Sequence, residues 1–263
     1  MKKETRMRQK LLRNSFLFVA IVAAASLVAP SALAQGTDNS GVETALTATA
    51  TTVETPSGDS SAGGSASSGA PKKSPTAAIK DLDGMLDDFK TGKNLSATDE
   101  EHNRKLKMKI IHGTFDVREL SRLSLAKHWK GLSPEQRNKF VDLMVSLLEE
   151  KALFSKEQSA AKSKQGGKYK VLYRGHKYLN KGKSKSFVRT KVLVPSENVD
   201  INLNYKLKSE NGEWKIYDVI VDEASLVSNY KYQFNSIITK HSYDELVRRM
   251  SNKLDEIKSK RRE

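Results

Sequence analysis

The chain has 263 residues, no cysteine and a formal net charge of +15 at pH 7. The absence of thiols excludes disulfide bonds, thiol catalysis and thiolate metal sites, so a packed core must stabilise the fold. The excess of Lys and Arg points to an acidic partner, and nucleic acid is the first candidate for a protein that stays in the cytosol.

Residues 1–34 have the order of a secretory signal peptide. A basic segment precedes an apolar run from Phe16 to Val28, and Ala32-Leu33-Ala34 supplies the small residues of a cleavage site. We expect cleavage after Ala34 and export to the periplasm, without lipoprotein processing because no cysteine follows. A retained membrane anchor is the alternative, although the run is short for a span of about 20 residues. Export favours lipid phosphates, lipopolysaccharide or an acidic protein surface over nucleic acid as the partner.

Residues 35–75 consist mainly of Ser, Thr, Ala and Gly. Such a segment buries too little apolar surface to offset its chain entropy, so we expect a disordered linker. The folded domain is then residues 76–263.

Apolar residues recur with helical spacing in the first half of this domain. A helix is predicted over 76–91, and a second helix begins near Thr98. Asp116 with Glu119 predicts the N-terminus of a third helix, and Ser133-Pro134-Glu135-Gln136 that of a fourth, through a capping box with proline in the first turn.

The apolar period then changes to strand alternation, and four strands are predicted over 168–176, 186–194, 200–208 and 214–222. Asn211-Gly212 predicts a tight hairpin between the last two strands. Two further helices close the chain, the second capped by Ser242 and Glu245. The fold class is therefore α+β, with a twisted four-stranded antiparallel sheet packed with N- and C-terminal helices.

No pattern of catalytic or metal-ligating residues stands out. No serine lies in a G-x-S-x-G turn, and the five histidines are scattered, which favours surface or capping roles. Asp218 interrupts an apolar strand, where a structural ion pair is favoured over a catalytic acid. Ser225 is predicted to cap the helix that follows it.

The segment 158–196 contains 11 Lys and Arg residues and no Asp or Glu. Such a run is most often a solvated face. The functional alternative is a docking surface for anionic lipid headgroups or for an acidic protein.

Three blocks resemble the MlaC, or toluene-tolerance, family. The most specific is WKIYDVIVDEASLVSNYKYQF from Trp214 to Phe234, and FDVRELSRLSLAKHW (115–129) and SPEQRNKFVDLMVSLL (133–148) precede it in the family's order. The resemblance covers roughly residues 95–260. The family often has Glu-Gly before the serine of the last block, where this chain has Glu223-Ala224. The 35–75 linker and the helix over 76–91 look like additions.

The resemblance implies a non-enzymatic carrier of the periplasm, with phospholipid as cargo and no cofactor or metal. The implied partners are an outer-membrane lipoprotein complex and an inner-membrane MCE-type ring with its ABC transporter, with transient membrane-surface contact and no nucleic acid. The implied role is to maintain outer-membrane lipid asymmetry.

A carrier of this kind needs an apolar cavity for acyl chains between the sheet and the helices. Inward strand positions and the apolar faces of the helices supply the candidate lining, although ordinary core packing explains any single residue equally well. The candidates are Leu123, Phe140, Met144, Leu147, Val188, Val192, Ile201, Leu203, Tyr205, Leu207, Ile216, Val219, Leu226, Tyr230 and Phe234.

Two other functions remain open at this point. A periplasmic adaptor would bind an acidic protein or envelope polymer through Lys181, Lys183 and Lys185. A small hydrolase would use Asp218 or a histidine.

Overall fold

The computed structural model describes residues 71–90, 95–162, 170–195 and 199–262, and it describes no side chains at 151–162, 194, 199 and 260–262. The predicted signal peptide (1–34) and residues 35–70 of the predicted linker lie outside these ranges, so both stay predictions.

The described residues form six α-helices and one five-stranded sheet in the order α1–α4, β1–β5, α5, α6. The helices are α1 (Pro75–Asp87), α2 (Ala97–Thr114), α3 (Val117–Leu125), α4 (Pro134–Lys162), α5 (Leu226–Lys240) and α6 (Tyr243–Arg262), with a 3₁₀ turn at Ala126–Gly131 after α3. The strands are β1 (Lys170–Tyr178), β2 (Lys185–Val194), β3 (Val199–Glu210), β4 (Glu213–Val221) and β5 (Ala224–Ser225).

The strands lie in chain order and each pairs antiparallel with the next. This confirms the α+β class and the four predicted strands, with ends that differ by one or two residues. Asn211 and Gly212 both have positive φ, 50° and 76°, which is the backbone that a two-residue hairpin turn requires.

The fifth strand was not predicted. It is two residues long and returns beside β4 through a turn at Asp222 and Glu223, whose φ angles are 43° and 74°. Neither turn residue is glycine, and two residues are too short to show alternation, so the sequence contains no signal for this strand. Ala224 is not among the residues with positive φ, so alanine causes no backbone strain where the family often has glycine.

Side-chain caps set the starts of the helices, as predicted for α3 and α4. Ser96 and Asp99 form a reciprocal capping box at α2. At α3 the Asp116 carboxylate accepts from the Glu119 amide at 2.8 Å. At α4 the Ser133 hydroxyl and the Gln136 side chain each accept from the other's backbone amide, at 3.2 and 2.9 Å.

The core lies between one face of the sheet and the helices. Alternate residues of β2 and β3 are buried, while their neighbours in sequence are more exposed, which is the pattern of a sheet covered on one side. In β4 every residue from Ile216 to Val221 is buried. Helix α1 packs on β1 and β2, whereas α2, α3 and α5 pack on β4.

Polar contacts attach α1 to the sheet. The Trp214 indole donates to the Lys73 carbonyl at 2.9 Å, and the Thr76 hydroxyl is 2.8 Å from Nδ1 of His176. The Tyr173 hydroxyl donates to the Asp83 carboxylate in a short hydrogen bond. Burial of Asp83 raises the pKa of its carboxyl to about 6, against the opposing effect of the Tyr173 hydrogen bond.

Compared with wild type, the Asp83→Asn variant should become more stable as the pH rises. The folded-state pKa of about 6 lies above the ordinary value of 3.8. The stability that the Asp83 carboxyl contributes is therefore fully present below pH 3.8 and is lost as the pH rises through about 6. The variant's free energy of unfolding, relative to wild type, should therefore increase by about 2–3 kcal/mol between pH 4 and pH 7. Urea titrations at several pH values measure it.

The matched control is Asp81→Asn on the same helix, where an exposed carboxylate pairs with Lys73. An exposed pair contributes about 0–1 kcal/mol, so this variant should follow the wild-type pH profile closely. Parallel profiles for Asp83→Asn and wild type would contradict the raised pKa.

A second buried carboxylate joins β4 to the start of α5. Asp218 is 2 % exposed and accepts from the Lys206 ammonium at 3.0 Å and from the Val227 amide at 3.1 Å. The Ser225 hydroxyl also donates to it, at 2.9 Å, while accepting from the Ser228 amide as the N-cap of α5. The structural interpretation of Asp218 and the capping role of Ser225 agree with this geometry.

Asp218→Ala should lower the free energy of unfolding by about 2–3 kcal/mol, because a buried amide and a half-buried ammonium lose a charged acceptor. Chemical denaturation monitored by circular dichroism measures the change. Asp142→Ala, at an exposed position of α4, is the control and should change stability by less than about 0.5 kcal/mol. Equal stability of the two variants would show that Asp218 does not hold this junction.

Candidate functional site

The predicted lining residues gather in one apolar cluster between the sheet and the helices. All of them except Leu123 are buried and belong to the same cluster, whereas Leu123 is half-buried on α3 and lies outside it. The structure thus brings the set together, as a cavity or as an ordinary core would.

The strand register explains why these side chains meet. Val188 lies opposite Tyr205, and Val192 lies opposite Ile201, so alternate residues of β2 and β3 share a face. Tyr205 in turn lies opposite Val219 of β4, which extends the apolar band across three strands.

The helical side of the cluster is aromatic. Tyr230 and Phe234 of α5 stack with ring centroids 5.2 Å apart and planes 7° apart. Phe140 of α4 meets Phe234 edge-on, at 5.7 Å and 87°. Because Phe140 comes from another helix, these contacts fix α5 against α4 and present large rings to the interior.

A few hydroxyl groups lie within this apolar region. Ser121 and Ser124 of α3 and Tyr230 of α5 are buried, and their hydroxyl oxygens have no hydrogen-bond partner in the structure. Burial raises the pKa of the Tyr230 phenol well above its ordinary value, so this group is neutral at physiological pH. An unpaired buried hydroxyl costs free energy unless a ligand or water binds it.

Several buried residues of the same cluster were not among the predicted lining. They lie on helical stripes that the sequence shows, but a stripe does not reveal which other element it covers. The additional residues include Ile79 and Leu82 of α1, Leu120 and Leu125 of α3, and Leu246 and Met250 of α6.

The groups considered for catalysis are held in structural contacts. Asp218 and Ser225 form the junction at the start of α5. The histidines lie on different elements: His102 beside Asp88, His112 beside Glu149, His128 beside Asn235, His176 beside Thr76, and His241 at the C-cap of α5. Within the described ranges no cluster of three or more His, Cys, Asp or Glu side chains is arranged to hold a metal ion.

A separate groove of about 340 Å³ opens between α1, the end of α2 and the β3–β4 turn. Its lining combines lysines (Lys72, Lys73 and Lys109) with the apolar surfaces of Met85 and Trp214. It contains none of the predicted lining residues. None of the helices in the described segments has the length and apolarity that a membrane span needs.

Comparisons with known proteins agree on the fold. The described fold resembles a solved phospholipid-binding protein from Ralstonia solanacearum, in complex with a phospholipid, with a TM-score of 0.55 and 21% sequence identity over 69% of this chain and 97% of that chain. A search of curated sequences finds no match. The family profile described as MlaC protein matches residues 80–252, which includes most of α1, the helix that the sequence alone suggested was an addition. This chain belongs to the MlaC family.

Proposed function

We propose that this protein carries phospholipid through the periplasm, with the acyl chains held between the sheet and the helices. Membership of the MlaC family points to lipid binding and transport rather than to enzymatic chemistry. The observation that carries the proposal is the family match over residues 80–252, and the apolar cluster of all the predicted lining residues but Leu123 provides the interior that such a carrier needs.

The energetics favour such an interior for hydrocarbon. Each methylene removed from water gains about 0.8 kcal/mol, so two acyl chains bind strongly to a surface that offers little besides apolar contact. The rings of Phe140, Tyr230 and Phe234 and the aliphatic side chains of β2–β4 offer such contacts. Binding of this kind depends weakly on chain length, so we expect several tail compositions in the cargo.

The unpaired hydroxyls favour a cargo with acyl-ester groups, such as a phospholipid, over a pure hydrocarbon. The ester carbonyls of a phospholipid are acceptors, and the hydroxyls of Ser121, Ser124 and Tyr230 are donors without a protein acceptor. We infer that one or more of them bind an ester oxygen when lipid is present, which removes the cost of burying them empty.

The compartment and the partners follow from the family. MlaC proteins are periplasmic. We propose that the predicted signal peptide exports this chain, and that it moves lipid between an outer-membrane lipoprotein complex and an inner-membrane MCE-type ring with its ABC transporter. Such exchange would maintain the lipid asymmetry of the outer membrane.

Organic extraction of the purified protein should release phospholipid in a fixed ratio to protein, measured by mass spectrometry with internal standards. Val188→Trp should lower this ratio severalfold, because Val188 is fully buried and the larger ring occupies space next to Tyr205. Val192→Phe is a milder change of the same kind. Both variants require a native circular dichroism spectrum.

Met108→Trp is the control, since Met108 is 39% exposed on α2 and its replacement leaves the interior unchanged. It should retain the wild-type lipid content. Wild-type protein that carries no phospholipid and takes none up from vesicles would refute the proposal, whether or not the variants fold.

A further inference from the structure

The end of β1 and the loop that follows it expose two large apolar side chains. Tyr178 is 42% exposed and the adjacent Leu179 is 44% exposed. Over the described ranges only Met108 and Tyr232 are comparable, and they lie on helices apart from each other in sequence. Among the described residues, two such side chains are therefore adjacent in sequence at the junction of β1 and the β1–β2 loop.

Lysines surround this apolar pair. Lys177, Lys181, Lys183 and Lys185 are exposed, and within the described residues none has a carboxylate within 4.0 Å. The Lys183 ammonium lies 5.7 Å from the centre of the Tyr178 ring. We call residues 177–185 the basic hairpin tip.

Neighbouring cations at this end of the sheet are neutralised, unlike those of the tip. Ser209 of β3 donates its amide to the Ser184 carbonyl at 2.8 Å, so the ends of the two hairpins are adjacent. There Lys208 pairs with Asp116 at 2.7 Å, and Lys215 pairs with Glu213 at 3.0 Å. The lysines of the basic hairpin tip thus lack the ion pairs that Lys208 and Lys215 make beside it.

Hydrogen bonds within the basic hairpin tip link its two ends. The Asn180 side chain donates to the Ser184 hydroxyl at 2.8 Å and accepts from the Lys185 amide at 2.9 Å. The Leu179 amide donates to the Lys185 carbonyl at 2.8 Å. The exposure of Tyr178 and Leu179 is therefore a property of an organised loop.

We propose that the basic hairpin tip docks the protein on the surface of an anionic phospholipid bilayer. Each lysine near such a surface gains about 1 kcal/mol from the negative lipids. Tyrosine favours the interface between headgroups and hydrocarbon, and a neighbouring leucine can enter the acyl region. An exposed tip with two apolar residues and no acidic residue suits a bilayer better than a protein pocket, which would need a matching shape.

This surface is distinct from the apolar interior, so it can be tested separately from lipid carriage. The probe is flotation of the purified protein with vesicles of phosphatidylethanolamine and phosphatidylglycerol, compared with vesicles of phosphatidylcholine alone. Wild-type protein should bind the anionic vesicles and release from them as salt rises, because exposed charges are screened within about 10 Å at 0.1 M salt.

Lys181→Gln combined with Lys183→Gln should weaken binding at low salt on the order of 30-fold, since two favourable charges are removed. Tyr178→Ser combined with Leu179→Ser should also weaken binding, and its effect should persist at high salt because it is apolar in origin. The matched controls lie on α5: Lys231→Gln with Lys240→Gln for charge, and Tyr232→Ser for an aromatic residue that is 79% exposed. Both controls should bind as wild type does.

All four variants should keep the wild-type content of extracted phospholipid, so a failure of docking is distinguishable from a failure of the carrier proposal. Equal vesicle binding by the tip variants and the α5 controls would overturn the proposal. So would absence of vesicle binding together with salt-sensitive binding of an acidic protein at Lys181 and Lys183, which would favour the adaptor alternative.

Discussion

The alternation of β2 and β3, together with the register in which β4 pairs with β3, is the constraint on which the rest of the structure depends. Their paired register places the apolar residues of three strands on one face, and that face must be covered to avoid water. Helices from both ends of the domain pack on the sheet, α1, α2 and α3 from the N-terminal side and α5 from the C-terminal side, while α4 and α6 pack on these helices and on each other. A one-residue slip of β3 would expose Leu203 and bury Asn204. The apolar interior therefore forms only in the observed register.

Charge and apolarity are separated in this fold. The interior contacts are aromatic and aliphatic, and the Tyr230 phenol within them is neutral. Two buried carboxylates connect secondary-structure elements: Asp83 links α1 to β1 through Tyr173, and Asp218 links β4 to α5. The exposed lysines of the basic hairpin tip, which have no carboxylate within 4.0 Å among the described residues, lie on the outside. A carrier that takes lipid from one membrane and gives it to another needs this division between a surface that meets headgroups and an interior that accepts tails.

Sequence patterns predicted most of the fold because the relevant signals are local. Asn211-Gly212 specified a turn, Asp116 and Ser133 specified helix starts, and the alternation from Ile201 to Leu207 specified a buried strand face. The fifth strand escaped prediction because Asp222 and Glu223 adopt positive φ without glycine. The lining set was predictable as apolar, but Leu123 shows the limit: helical spacing placed it inward, while the packing of α3 leaves it half-buried. The unpaired hydroxyls of Ser121 and Ser124 could not be recognised, since pairing depends on neighbours distant in sequence.

The most direct measurement is nuclear magnetic resonance of methyl-labelled protein loaded with protonated phospholipid. The account predicts nuclear Overhauser effects between acyl-chain methylenes and the methyl groups of Val192, Leu203 and Met144, on both the sheet and the helical side of the interior. Effects confined to Leu179, at the exposed hairpin tip, would show that lipid touches only the surface and would contradict the account.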